Sequence, residues 1–388
     1  MMTFFLLLFL LSLSYATFLL WCRAGWKKIK EFHPEAAAPQ TKVSVIIPVR
    51  NEERNIAICL EAIIRQRYPK TFLEILVSDD CSEDGTKEEV MRLIKKFPES
   101  RILFLKNEID NAGNIYKKQA ITRAIQQATG ELIVTTDADC IMPEHWLSTI
   151  VSYYEKGHSY LIAGPVCFGE GKNVLHNFQA LEFAGLIGIG AGSISNKQPV
   201  MCNGANLAYT KKIFQEVNGF SESHGSVSGD DTQLMQKIAE KYPEKIHFLK
   251  SKQSIVATQA MDTLTGLLQQ RRRWASKIPV KMNAFTVAMA VVAWLLHAGL
   301  IVAFIETVFN SAYWMYLLFV FLIKAIPEFL LLKDVTGFFG QRRLLLLFLP
   351  AQLIYPFYIF FVGVVSPFTS YQWKGREIRP GAKSFGSG

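Results

Sequence analysis

Apolar residues in this chain gather at its two ends, and that placement constrains the fold more than any other feature. Met1 to Trp21 is almost wholly apolar, and Arg23, Lys27, Lys28 and Lys30 follow directly. About 20 apolar residues cross a bilayer as a helix. A cleaved signal peptide is the rival reading. Against it, no basic stretch precedes the apolar run and the positive charge comes after it. Residues 1–22 are therefore read as a retained anchor. The positive-inside rule places its N-terminus outside and the following residues in the cytosol.

Three more apolar segments fill residues 283–366: Ala284 to Ile305, Ala312 to Leu332 and Leu344 to Val365. Lys333, Arg342 and Arg343 lie between the last two, which makes that loop cytosolic. The basic tail, 367–388, conflicts with this count. Four crossings leave Lys374, Arg376, Arg379 and Lys383 outside. Pro350 and Pro356 interrupt the last run, and a broken or re-entrant segment there returns the tail to the cytosol. Lys324 and Glu328 share one helix face inside the third span. Charges there face protein or water, so they mark either a channel for an acceptor or a structural ion pair.

The net charge is +9, and its basic residues cluster beside the apolar segments. That distribution favours an anionic membrane surface over nucleic acid. The six cysteines form no CxxC pair and no zinc spacing. Isolated cysteines of this kind suit a reducing compartment as small buried hydrophobes.

Residues 41–277 read differently. Val43–Val49, Leu73–Ser78, Ile102–Leu105 and Glu131–Thr135 are short runs rich in Val, Ile and Leu. Such runs fit strands buried on both faces. Helical patterns, Glu53–Gln66 and Lys87–Lys96 among them, lie between. The alternation predicts an α/β domain with a mainly parallel sheet, joined to the anchor by a short linker, Glu35 to Gln40. Ligands of open α/β sheets bind outside the carboxyl ends of the strands. Three predicted strand ends carry polar or acidic clusters there: Pro48 to Glu53, Ser78 to Thr86, and Thr136 to Asp139.

Each cluster has a chemical reading and a plainer one. Asp137 and Asp139 offer oxygen donors to a hard cation, Mg2+ or Mn2+, or form a solvated turn. Asp79 and Asp80 can accept hydrogen bonds from a base or ribose, while Ser82 to Gly85 is turn chemistry with Asp84 or Thr86 as a helix cap. Lys117 and Lys118 meet a phosphate or form a solvated helix face. Asp230 and Asp231 open an apolar helical pattern, Thr232–Ile238, where the helix dipole alone favours acids. In the chemical reading they supply a general base for an acceptor hydroxyl. Gln270 to Trp274 offers guanidinium groups to a pyrophosphate and an indole to a sugar. Alternatively it is a basic belt with an interfacial tryptophan.

Taken in order, these segments resemble family 2 glycosyltransferases of the GT-A fold, the group that includes cellulose, hyaluronan and chitin synthases and ceramide glucosyltransferase. Val45 to Glu53 resembles the opening strand and loop, Asp79 to Thr86 the uridine-binding segment, and Asp137-Ala138-Asp139 the metal motif. Gly229-Asp230-Asp231 resembles the acidic pair, Gln270 to Trp274 the QxxRW signature, and Asn203 to Asn206 a loop near the acceptor. Cys81 stands where glycine is usual and Asp230 where Glu is common.

The resemblance implies a uridine nucleotide-sugar donor, a divalent metal and inversion at the anomeric carbon. Pro48, Glu52, Asp79, Asp80, Lys117, Asp137 and Arg273 then belong to the donor site, with Asp139 and Asp137 on the metal. Asp231, beside Asp230, takes the acceptor proton. Gly204, Asn206, Gln270 and Trp274 fall on the acceptor side. The expected partners are the donor, a lipid or glycan acceptor and the bilayer, with no nucleic acid; the oligomeric state stays open. Leu175–Ile189 is either an interfacial helix presenting the acceptor or a core helix. Single transfer to a lipid or lipid-linked acceptor competes with processive polymer synthesis and with a non-catalytic scaffold. The intact acid set speaks against the scaffold, and the small membrane region favours single transfer.

Overall fold

A computed structural model describes residues 1–34, 39–107, 117–169, 171, 173–220, 230–275, 282–366, 370–374 and 376–378. Most of the expected linker and the end of the tail, including Arg379 and Lys383, lie outside these residues, as does Gly229.

The Val- and Ile-rich runs form strands β1 (Val43–Val49), β2 (Leu73–Asp79), β3 (Arg101–Lys106) and β4 (Leu132–Thr135). They pair in parallel in the order β3-β2-β1-β4. β1, β2 and β4 are almost wholly buried, which is why their sequences lack a polar alternation. After β5 (Leu161–Ala163) and β6 (Val166–Phe168), β7 (Leu207–Thr210) runs antiparallel to β4. β5 and β8 (Ile246–Phe248) complete a seven-stranded sheet. β6 pairs separately with β9 (Val256–Thr258). The expected α/β class with a mainly parallel sheet is what forms.

The helices are α1 (Met2–Lys28), α2 (Ile56–Ile64), α3 (Thr86–Lys96), α4 (Lys117–Gln127), α5 (Trp146–Gly157) and α6 (Val174–Ser195). There follow α7 (Lys211–Glu216), α8 (Asp230–Lys241), α9 (Leu264–Ala275), α10 (Ala284–Phe309), α11 (Trp314–Phe338) and α12 (Phe348–Val365). α2 is shorter than its apolar pattern because residues 51–55 are spent in a loop on the strand end.

Among the described residues, five helices are long and apolar enough to cross a membrane: α1, α6, α10, and the helical stretches Ser311–Phe338 and Arg342–Val365. The sequence suggested four. The fifth, α6, has most of its residues buried by α1, α11 and the sheet domain, so it is a core helix rather than an exposed interfacial one. α1 and α6 touch through glycines. A Cβ on Gly192 would lie 2.0 Å from the Cys22 carbonyl oxygen, and one on Gly25 would lie 2.2 Å from the Gly192 carbonyl oxygen.

α10 and α11 form a hairpin. Asn283, before α10, donates its amide to Gln236 of the sheet domain. Tyr313, before α11, packs on Phe5 at the remote end of α1, with centroids 5.1 Å apart. Phe338 then returns to Trp26. Lys324 and Glu328 form an ion pair at 2.9 Å with the lysine fully buried. Gln352 of α12 bonds both members, and Tyr15 of α1 donates to Glu328. Each charge thus meets hydrogen-bonding partners, as burial in an apolar setting requires. These contacts fit the structural ion-pair reading, and Glu328 and Gln352 also line a cavity with Tyr15, Glu182 and Tyr355.

Of the two readings of the last segment, broken or re-entrant, α12 removes the break. Pro356 lies inside one continuous helix and Pro350 in its first turn, where the missing N–H forfeits no helical bond. The tail nevertheless returns to the sheet domain. Leu344, before α12, packs in the same core as the sheet. Beyond α12, the hairpin β10 (Tyr371–Trp373) and β11 (Arg376–Ile378) carries Lys374 to Glu52. Both ends of α12 therefore lie on the sheet-domain side, and Tyr358 in its middle donates to Glu182 of α6.

Candidate active site

The strand order reverses direction at β1. The chain builds β2 and β3 on one side of it and then places β4 on the other, and such switch points open a crevice at the carboxyl ends. The last β1–β4 pair is Ile46 with Thr135, closed by the Thr136 amide donating to Ile46. Pro48 falls just beyond it, so its missing N–H costs no ladder bond between these strands. The strands part there, and Pro48, Thr136, Asp137, Gly204, Phe220 and Asp231 line the cleft between them.

The loops after β1 and β2 are laced together by side chains. The Asn51 amide donates to Ser82, the Glu52 amide to Thr86, and the Glu53 amide to Asp84. In return the Glu83 and Gly85 amides donate to Asn51 and Glu53. The turn residues Ser82 to Thr86 therefore fix where Glu52 stands. Asn51 and Cys81 both adopt left-handed backbone, with φ of 50° and 54°. That conformation costs a non-glycine residue about 1–2 kcal/mol, which gives the physical sense of glycine at the Cys81 position. Asp79 and Asp80 are both buried at the end of β2, and the Asp79 carboxylate accepts from the Ser82 amide. Arg50, also buried, donates to the carbonyls of Asp80 and Cys81.

After β4, Asp139 stands among like charges. Burial first, then Asp137 and Glu52, push its carboxyl up to about 6, while Lys374 and a hydrogen bond from Thr258 pull it back. Lys374 pairs with Glu52 at 2.8 Å. The donor set is oxygen-only and carries more negative charge than its one ammonium balances, which suits a hard divalent cation. Among the described residues no three side chains are arranged to hold a metal by themselves. A cation here needs further oxygens, as magnesium does where it sits on one or two carboxylates and substrate phosphates.

Asp231 lines the same cleft as Asp137. Its Oδ2 accepts from the Gly204 amide at 3.0 Å and its Oδ1 from the Thr232 amide at 2.8 Å. Asp230 begins α8, and its side chain lies outside the described set. The side chain of Lys117 does too. Lys118 is not on a solvated face: it is buried and donates to Gln233 of α8. Asn206, expected on the acceptor side, is committed elsewhere. It is fully buried, donates to the carbonyls of Pro165 and Ser254, and accepts from the Trp146 indole. Its role is to hold the sheet end together.

On α9, the guanidinium groups of Gln270 to Trp274 do not act as one set. Arg271 is buried, ion-paired with Glu182 at 2.6 Å, bonded to Gln270, and stacked on Trp274 at 4.1 Å. Trp274 also packs against Phe183. Arg272 donates to the Ser370 carbonyl of the tail. Arg273 is half-buried on the same helix. Reading the sequence missed Lys374, Arg50 and the Glu182–Arg271 pair. Only Arg50 had a local signal, its place at a strand end; the other partners are brought from distant segments.

Comparison with known proteins follows the same lines. The model of the family described as "Glycosyl transferase family 21" matches residues 4–383. Glycosyltransferase AglE of Haloferax volcanii is 36% identical over 126 residues, 32% of this chain and 40% of that protein. The probable glycosyltransferase YdaM of Bacillus subtilis is 27% identical over 238 residues, 60% of this chain and 54% of its own. The chain thus spans about half or less of the length of these curated relatives. Mannosyltransferase PcManGT of Pyrobaculum calidifontis, solved with GDP-Man and Mn2+, superposes with a TM-score of 0.57 at 18% identity, covering 94% of this chain and 97% of that one. That likeness shows a shared GT-A-type fold.

Proposed function

Because the chain belongs to glycosyl transferase family 21, we propose that it is a membrane-bound, inverting, metal-dependent enzyme that moves a sugar from a UDP-sugar to a lipid or lipid-linked acceptor on the cytosolic face. One observation carries this reading: Asp137, at the end of β4, and Asp231, at the start of α8, line one cleft at the strand switch point. Donor and acceptor chemistry need one shared space, and in this reading these two carboxylates serve it from the donor and acceptor sides.

In this reading Asp79 and Asp80 bind uracil and ribose from the end of β2, and Pro48 and Glu52 border the donor. Asp139, with Asp137 beside it, would hold Mg2+ or Mn2+, which would neutralise charge on the leaving diphosphate. Asp231 accepts the acceptor hydroxyl's proton, oriented by the Gly204 and Thr232 amides. The acceptor oxygen attacks the anomeric carbon from the face opposite the diphosphate, which inverts the centre. Arg273 contacts the diphosphate, and Gln270 and Trp274 border the acceptor. Helices α1, α10 and α11 cross the bilayer, while α12 lies along its inner face. The division into an anchor, a catalytic domain and a C-terminal membrane region follows from this.

Relatives lend the acceptor class its support. An undecaprenyl-phosphate 4-deoxy-4-formamido-L-arabinose transferase of Yersinia enterocolitica is 33% identical over 132 residues, 32% of this chain and 36% of that protein. The test is nucleotide release by the nanodisc-held protein with a panel of UDP- and GDP-sugars, with Mg2+, Mn2+ or EDTA, and with membrane lipid extract. Metal-dependent UDP release stimulated by lipid is the expected result. Silence with every donor in the presence of lipid extract would remove the proposal.

A further inference from the structure

Between α1, α6, α11 and α12 lies a cavity of about 610 Å³, its open mouth included. Ligand pockets hold about 300–1,000 Å³, whereas a packed interior keeps few voids larger than a water. The four helices are among those long and apolar enough to cross a membrane. Glu328, in the cavity wall, stands about 15 Å of helix before Phe338, where α11 packs on Trp26 of α1. In the membrane reading above, that depth is half of the ~30 Å hydrocarbon core.

The wall divides by chemistry. Most of it is leucine, isoleucine, phenylalanine and alanine, and its polar groups are Tyr15, Glu182, Glu328, Gln352 and Tyr355. Among the described residues no lysine or arginine lines it. The cations that neutralise the two glutamates stand behind the wall: Lys324 bonds Glu328 at 2.9 Å and Arg271 bonds Glu182 at 2.6 Å. A phosphate entering this space would leave water to face two carboxylates, with no cation to meet it. A hydrocarbon chain gains from leaving water and meets leucine and phenylalanine.

Glu182 ties the cavity to the acceptor side of the candidate site. The carboxylate in the wall holds Arg271 of α9, whose guanidinium stacks on Trp274 at 4.1 Å. It also accepts from Tyr358 of α12. Glu182 and Arg271 thus bridge the cavity to the helix that carries Gln270 to Trp274.

We propose that this cavity receives the hydrocarbon chain of the lipid acceptor, whose polar end stays outside, toward α9. The inference rests on the lipid-acceptor reading above and adds to it the site among the membrane helices that seats the lipid.

Gly185 allows a direct test. It lines the cavity, and a Cβ there would meet only Leu332 Cδ2, at 3.5 Å, an ordinary contact. Gly185→Leu therefore fills the cavity without displacing backbone and replaces a poor helix former with a good one.

The experiment holds the full chain in phosphatidylcholine nanodiscs doped with a diacylglycerol that bears a diazirine on one acyl chain. Light is expected to attach the label within residues 178–189 and 348–355 of the wild type, and excess membrane lipid extract to displace it. Gly185→Leu is expected to lose that label and to bind UDP as wild type does. It should need about tenfold more lipid extract for half-maximal nucleotide release, the scale of two buried methylenes. A wild type whose nucleotide release responds to lipid but which takes no label at those residues would overturn the proposal, with no variant needed. So would a folded Gly185→Leu protein with unchanged lipid demand, which would leave the cavity to a structural lipid. Label at those residues without lipid-stimulated release in the wild type would remove the lipid-acceptor reading, and this assignment with it.

Discussion

Gly204 donates its backbone N–H to Asp231 Oδ2 at 3.0 Å, and a Cβ at Gly204 would stand only 3.6 Å from the same oxygen. The carboxylate is thus aimed by the backbone of an element remote in sequence. If it is the general base, Asp231→Asn keeps the size and one of the two accepted backbone bonds and loses the proton acceptor. Turnover should fall by about 10²–10⁴-fold, while UDP affinity measured by calorimetry stays near wild type. Retained turnover would transfer the role to another group.

Asp139 gives a prediction with a definite sign. Its folded pKa of about 6 lies above the ordinary aspartate value of about 3.9. The folded state therefore binds this proton more tightly than the unfolded chain does. The group's contribution to metal-free stability falls as pH rises from about 4 through 6. Asp139→Asn should raise the melting temperature of metal-free protein near neutral pH, by about 1–3 kcal/mol in stability, and should abolish stabilisation by Mn2+. Mn2+ affinity of the wild type should strengthen as pH rises through about 6. A metal-free Asp139→Asn protein less stable than wild type would contradict this.

The Arg271–Glu182 pair joins α9 to α6 with both side chains only 5% exposed. Removing one partner of a buried pair strands the other and costs about 3–5 kcal/mol. Arg271→Leu and Glu182→Leu should each lower the denaturation midpoint sharply. The double variant should lose less than the two losses added. Full additivity in that cycle would show that the pair is not coupled.

Gly192→Leu tests the docking of α1 on α6. With the Cys22 carbonyl 2.0 Å from the site of a Cβ, backbone has to move before any side chain fits. The expected cost is at least about 1–3 kcal/mol, the range for overpacking, seen as a lower melting temperature. Gly340→Ala serves as a contrast: its Cβ meets nothing within 4 Å, so only its left-handed φ of 73° resists the change.

By itself the sequence determined the long apolar helix α1, the two later apolar helices α10 and α11, and the parallel strands β1 to β4. Each is a local pattern in hydrophobicity, and burial on both faces or in lipid requires that pattern. It also placed Asp79, Asp137 and Asp231 correctly at element ends, because polar clusters at strand and helix ends are local too. Only the tertiary structure decided which of these side chains meet. Asn206 looks like part of a polar loop, yet three distant segments consume its amide. Arg271 belongs to a basic run, yet a glutamate 89 residues away neutralises it. Pro356 reads as a break but sits in a continuous helix. The tail's side could not be counted from charges, because α12 ends on the side where it begins. Lys374 carried no motif. It meets Glu52 only because the tail folds back onto the strand end, and such a contact is set by folded distances, not by spacing along the chain.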